Sequence, residues 1–307
     1  MSMPAKAIGV AAASAALYFG PFLPNPGVWP HAFYRTIQTL CRREQDQEAL
    51  LLTHVNLASE SPNETNHKSK LSVIVPVYNE GAANLHSLVQ DIREKTCLKH
   101  RTEIVLVNAG CTDDTFQDIG SFINDTKVVK SSPGRGQALR TGVDSSAGEL
   151  LLFLHADSQL PLGYDNILRK ALCDPEVEMC AFSFKVDNRG IHDRAFLKSI
   201  AHIERSANQR SAFLWLPYGD QAISMSRQSY SRLGGIQPYS MMEDFDLVTR
   251  ARHSALKNGR RICILPENVL CSPRRWQNKG ILATTIRNWF FVAAFVWGKV
   301  TPDTIYR

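Results

Sequence analysis

Apolar and polar positions change period several times along the chain, and each change marks an element. Between Leu71 and Val77 nearly every position is apolar and many are β-branched, and Pro76 and Asn79 close the run. Such a run predicts a strand buried on both faces. Leu85, Leu88, Val89 and Ile92 then recur at helical spacing, which predicts a helix over 84–95. Further apolar runs predict strands at 103–108, 127–131 and 149–155. Between them, Thr112 or Asp113 caps a predicted helix with Phe116, Ile119 and Phe122 on its apolar face. The stretch GRGQALRTGVDSS reads as a loop leading into another helix. Strands and helices alternating at this spacing predict βαβ units and a largely parallel sheet covered on both faces.

Beyond residue 160 the pattern is mixed. Helices are predicted at 163–172, 191–208 and 244–258, the last stopped by Gly259, with strands at 179–186, 222–226 and 261–266. Residues 280–297 are strongly apolar and either pack on the domain or lie at a membrane surface. Residues 7–23 carry no charge. They are compatible with a targeting peptide, a membrane-touching helix or a helix packed on the domain. Residues 42–70 are polar and read as a linker. The predicted division is therefore an N-terminal apolar segment and linker over 1–69, and one domain with an apolar C-terminal helix over 70–307.

Composition narrows the picture modestly. With 307 residues, 44% of them hydrophobic, the chain can bury a sizeable core without staples. The net charge of +6 suits phosphates or anionic lipid. It is too diffuse for nucleic acid, since no basic run interleaves with aromatics. The 7 cysteines show no CxxC pair, which argues against a zinc site and a disulfide framework and mildly favours a reducing compartment.

In open α/β sheets, ligands bind beyond the carboxyl ends of the strands. Three polar clusters fall there: Asn79-Glu80, Asn108 to Asp113, and His155 to Asp157. Asp157 alone supports two readings equally, a ligand for a hard cation carrying phosphates or a loop cap. Asp113, Asp114, Glu243, Asp244 and Asp246 also suit helix starts. Gly134-Arg135-Gly136 is not a dinucleotide fingerprint, because the third glycine is absent. Arg274-Arg275-Trp276 also reads as a solvated basic turn.

The ordered series VIVPVYNE, IVLVNAGCTDDT, PGRGQAL, LLFLHADSQLP, PYGDQ, GGIQPYSMMEDFDL and PRRW resembles the family 2 glycosyltransferases over residues 71–307. It is most similar to a subgroup labelled arsenosugar-biosynthesis glycosyltransferases. The resemblance implies an α/β GT-A fold, with a Rossmann-like, mostly parallel sheet flanked by helices and a smaller mixed sheet on the acceptor side. It implies a metal-dependent, inverting hexosyltransferase with Mn²⁺ or Mg²⁺, a nucleoside-diphosphate-sugar donor and an unidentified hydroxyl acceptor. By the same resemblance Pro76, Tyr78, Asn79 and Glu80 would shape the nucleotide pocket, and Asn108 would contact the base. Arg135 would approach the diphosphate. His155-Ala156-Asp157 would replace the Asp-x-Asp motif, with Ala156 beside the donor and Asp157 on the metal. Glu243-Asp244 would supply the general base, preferably Asp244. Gly219, Asp220 and Gln221 would line the sugar or acceptor pocket, and Arg275 and Trp276 would close over the diphosphate and acceptor channel.

Asn108 departs from the family's usual acid, and Ala109 and Cys111 depart in the same loop. This keeps open a catalytically degenerate nucleotide-sugar-binding protein or a membrane-associated scaffold. A sugar nucleotidyltransferase would need a basic, glycine-rich loop after the first strand, where PVYNEGAANL has no basic residue. The implied compartment is cytoplasmic or membrane-associated, with peripheral membrane contact left open.

Overall fold

A computed structural model describes residues 69–117 and 126–296. It is built on one 8-stranded sheet in the order β3-β2-β1-β4-β7-β6-β8-β5. The first half holds β1 (Leu71–Val77), β2 (Thr102–Asn108), β3 (Thr126–Lys130) and β4 (Leu150–Phe153), all parallel. The second half holds β5 (Ser158–Gln159), β6 (Val177–Val186), β7 (Ser224–Ser226) and β8 (Arg261–Cys271). It mixes antiparallel pairs with the parallel β6–β8 ladder. The smaller mixed sheet is thus no separate layer. It continues the parallel half through β7, and β7 meets β6 at the single residue pair Ser224–Cys180.

The parallel half is covered on both faces, as its unbroken apolar runs require. β1 sends Val73, Val75 and Val77 into one core with Leu85, Leu88 and Ile92 of α1 (Ala82–Lys95). It sends Ile74 into the opposite core with Ala138, Leu139 and Val143 of α2 (Arg135–Ser145). β4 divides likewise, with Leu150 and Leu152 to the first core and Leu151 and Phe153 to the second. This is the period-2 alternation of a strand used on both sides. Gly142 lets α2 sit close, since a Cβ there would stand 2.4 Å from Ile74 Cγ2.

The remaining helices are α3 (Tyr164–Leu172), α4 (Arg194–Leu214), α5 (Arg227–Arg232), α6 (Glu243–Asn258), α7 (Arg274–Lys279) and α8 (Ile281–Val296). Gly259, at φ 65°, ends α6 in the left-handed conformation. Two expectations change. The helix expected after Asp113 is, in its described part, a 3₁₀ turn over Asp114–Phe116; Ile119 and Phe122 lie outside the described residues. Asp113 does cap that turn, accepting from the Thr115 N–H and hydroxyl. The strand expected at 261–266 runs on to Cys271 across a register shift opposite Phe182/Ser183, which absorbs Pro266. The N-terminal segment at 7–23 and the linker up to 68 lie outside the described residues.

Candidate active site

The parallel strands β1, β2 and β4 end on the same edge, and their loops are tied together by side chains. Asn79 adopts φ 52°, a left-handed conformation that Asn tolerates better than most residues. Its amide accepts from Thr112 N at 2.9 Å and donates to Thr112 Oγ1 at 3.2 Å. Asn108 Oδ1 accepts from the N–H groups of Gly110 at 3.0 Å and Cys111 at 2.8 Å. One side-chain oxygen therefore folds the β2 loop, a role an acid would perform equally. Pro76 is half-buried in β1, whereas Tyr78 is 59% exposed on the rim.

The outer acids stand here. Asp157 follows β4 and is exposed, and its carboxylate has no hydrogen-bond or ion-pair partner among the described residues. Its backbone carbonyl accepts from Ser272 N at 3.2 Å, which fixes the residue against the end of β8. Ala156, beside it, is half-buried and packs against the core. Glu80 pairs with Arg274 at 3.1 Å. Burial raises the Glu80 carboxyl above its usual range, opposed by Arg274 and reinforced by the charges of Asp157 and Asp113. The sequence reading selected Arg275 and passed over its neighbour Arg274; motif spacing gave no way to choose between them.

The inner acids open α6. Glu243 is fully buried, while the Asp244 side chain is 18% exposed. Arg135, at the start of α2, donates from Nε to Glu243 Oε1 and places Nη2 3.3 Å from Asp244 Oδ2. Gly219 N donates to the same Asp244 oxygen at 2.7 Å, and Phe245 N donates to Oδ1 at 2.8 Å. The arrangement needs two glycines. A Cβ on Gly219 would stand 2.8 Å from both Asp244 Oδ2 and His155 Nε2. A Cβ on Gly136 would stand 2.3 Å from the Gln237 carbonyl, against the loop that delivers α6. Met242, just before α6, has φ 63°, a costly conformation for a side chain of that size.

Environment divides the two acids. Burial pushes Glu243 up to about 7, against the pull of Arg135 and with the help of the Asp244 charge. Burial also works against an ionised Asp244, but Arg135 and the Gly219 N–H outweigh it and hold the carboxyl below its usual range. His155 is pushed down to about 3 by burial and by Arg135, so it is neutral at physiological pH. Asp246 is structural, gripped by Arg250 one turn along.

Several expected pocket residues are supports. Gln221 is fully buried; its carbonyl accepts from Ser211 Oγ at 2.6 Å, and its amide donates to the Phe182 carbonyl at 3.0 Å. Trp276 is 7% exposed and lies edge-on to Phe184 in the core. Asp220 keeps a buried Oδ1 without a hydrogen-bond partner, and burial raises its carboxyl against the opposing charges of Arg210 and Arg275. The sequence reading missed Arg210, a buried cation stacked 3.5 Å over the Tyr218 ring. Its place within a helical run carried no signal of that.

The fold, with acids at its strand ends and at the head of α6, defines a class. The Glycosyl transferase family 2 pattern matches residues 72–234, more than half of the chain, and the chain belongs to that family. It is similar to a dolichyl-phosphate beta-glucosyltransferase of Dictyostelium discoideum, 28% identical over 148 residues, covering 42% of this chain and 45% of the relative. It is also similar to the glycosyltransferase AglE of Haloferax volcanii, 30% identical over 92 residues, covering 28% of this chain and 30% of the relative. An undecaprenyl-phosphate 4-deoxy-4-formamido-L-arabinose transferase of Proteus mirabilis is 29% identical over 99 residues, 30% of each chain. The chain thus spans less than half the length of these relatives. Among solved structures, the mannosyltransferase PcManGT from Pyrobaculum calidifontis, in complex with GDP-Man and Mn²⁺, aligns with a TM-score of 0.51 at 18% identity, over 94% of this chain and 81% of that one. S. aureus TarS 1-349 aligns with a TM-score of 0.51 at 18% identity, over 73% and 65%. These two likenesses concern the fold.

Proposed function

We propose that this protein is a metal-dependent, inverting glycosyltransferase that moves a sugar from a nucleoside-diphosphate-sugar to a hydroxyl acceptor. The observation that carries the reading is the division between an exposed, unpartnered Asp157 and a clamped, ionised Asp244. The structural neighbours with bound GDP-Man and UDP-GlcNAc support the donor class. The motif order, with His155-Ala156-Asp157 and Pro217 to Gln221, favours the subgroup labelled arsenosugar-biosynthesis glycosyltransferases. The transferase domain spans 70–307 in this reading.

Asp157 suits a hard cation, because Mg²⁺ and Mn²⁺ take one or two protein carboxylates with phosphate oxygens and water. A divalent ion held there would neutralise charge on the departing diphosphate. Tyr78, Asn79, Glu80 and Asn108 border the nucleotide; Asn108 keeps its Nδ2 for a base edge while Oδ1 folds the loop. Asp244 accepts the proton of the acceptor hydroxyl as that oxygen attacks the anomeric carbon. Arg135 and Gly219 N hold the carboxylate ionised and oriented, so Arg135 acts chiefly as a positioning residue. Glu243 secures Arg135 from behind. Asp220 and Arg275 flank the acceptor side.

The test is a panel of nucleotide sugars, measuring donor hydrolysis and transfer with Mn²⁺, with Mg²⁺ and with chelator. Metal-dependent release of nucleoside diphosphate from at least one donor is expected. Tight binding without turnover across the panel would instead favour a non-catalytic nucleotide-sugar-binding relative, the reading that Asn108 motivates.

A further inference from the structure

α8 is apolar on two opposite faces. Thr284, Phe291 and Phe295 share one side at helical spacing. Thr284 is buried, and Phe295 meets Tyr239 and Phe245 edge-on, with ring centroids 6.1 and 5.9 Å apart. This side docks the helix onto the loop that delivers Glu243 and Asp244. On the opposite side, Leu282, Ile286 and Phe290 recur at i, i+4 and i+8 and are 64%, 52% and 60% exposed. The stripe is roughly 12 Å long at the helical rise. A helix apolar around most of its circumference is ordinarily covered.

Charge says what covers it. From Asn268 to Pro302 the sequence has no Asp or Glu. Arg274 pairs with Glu80 and Arg275 faces Asp220, which leaves Lys279, Arg287 and Lys299 as the further bases of this stretch. Lys279 is exposed on α7, one turn before the stripe begins. An apolar stripe flanked by the exposed Lys279 fits the headgroup boundary of an anionic bilayer. A second protein surface would need acids facing those bases. Among the described residues no helix is long and apolar enough to cross a membrane, so a contact here would lie in the plane of the surface.

We propose that Leu282, Ile286 and Phe290 insert into an anionic lipid surface, with Lys279 at headgroup level, and that this holds the Asp244 side of the cleft at the membrane. The proposal goes beyond the transferase reading and does not depend on it. The test is co-sedimentation of the 307-residue chain with phosphatidylcholine vesicles, with and without roughly 30% of the anionic lipid phosphatidylserine. Wild type should pellet with the anionic vesicles and far less with neutral ones. Changing Leu282, Ile286 and Phe290 together to Ser should weaken partitioning roughly tenfold or more, and Lys279→Gln about fivefold. An unchanged melting temperature would show that each variant folds. Equal pelleting of wild type and the triple variant would overturn the proposal. So would a wild-type dimer, lost in the triple variant, that binds no vesicles. Nucleotide-sugar turnover in detergent-free solution is read separately, so loss of the membrane claim and loss of the transferase claim are distinguishable.

Discussion

The outer and inner acids of the cleft are built in opposite ways. Asp157 stands exposed beyond the end of a short, fully buried strand, and among the described residues only its backbone is held. Asp244 sits at the head of α6 with both oxygens engaged, by Arg135, Gly219 N and Phe245 N. A carboxylate that must accept an external ligand needs open oxygens on a rigid base. One that must take a proton at a fixed angle needs orientation and a tuned charge. In the proposed reaction the same functional group takes two roles through its surroundings, while Glu243, fully buried beside Asp244, anchors Arg135.

The comparison breaks most sharply at Asp244. Asp244→Asn keeps an oxygen for Gly219 N but loses the base, so turnover should fall by about three orders of magnitude. Nucleotide-sugar affinity, measured by calorimetry, should stay within about twofold. Unchanged turnover would move the base elsewhere.

Glu243 supplies the next effect, in stability. Its carboxyl is raised from 4.5 to about 7, so between those values the folded protein holds a proton that the unfolded chain has released. Stability from this group is therefore greatest below pH 4.5 and is lost as pH rises toward 7, by on the order of 3 kcal/mol. Denaturant unfolding of wild type and Glu243→Gln across pH 5 to 7.5 should show the stability difference between them falling as pH rises, because the opposite rise from neutral His155 is common to both and cancels. An equal slope in both would mean that Glu243 is already ionised in the native state.

Asn108 gives the smallest effect. A carboxylate can accept from Gly110 and Cys111 N–H groups as the amide does, so Asn108→Asp should shift stability by less than about 1 kcal/mol. A larger loss would show that the loop depends on the amide's Nδ2.

Much of the fold was legible in the sequence, because a strand covered on both faces must be apolar throughout, as Leu71–Val77 is. The turn at Asp114 was not, since capping residues and nearby aromatics suit a 3₁₀ turn as well as a helix. Motif order marked the site residues, but burial sorted them. Gln221 and Trp276 sit in motifs with Asp220 and Arg275, yet their side chains lie in the interior. The junction of Arg135 with Glu243 and Asp244 spans more than a hundred positions and exists only once α2 packs on the loop at Tyr239. Periodicity within either element says nothing about that meeting.

The central claim is that Asp157 holds metal and donor while Asp244 performs chemistry. Calorimetric titration of nucleotide sugar, with and without Mn²⁺, into wild type, Asp157→Ala and Asp244→Asn tests it most directly. The account predicts that Mn²⁺ tightens binding in wild type and in Asp244→Asn, and does nothing for Asp157→Ala. An equal Mn²⁺ response in Asp157→Ala and wild type would contradict it.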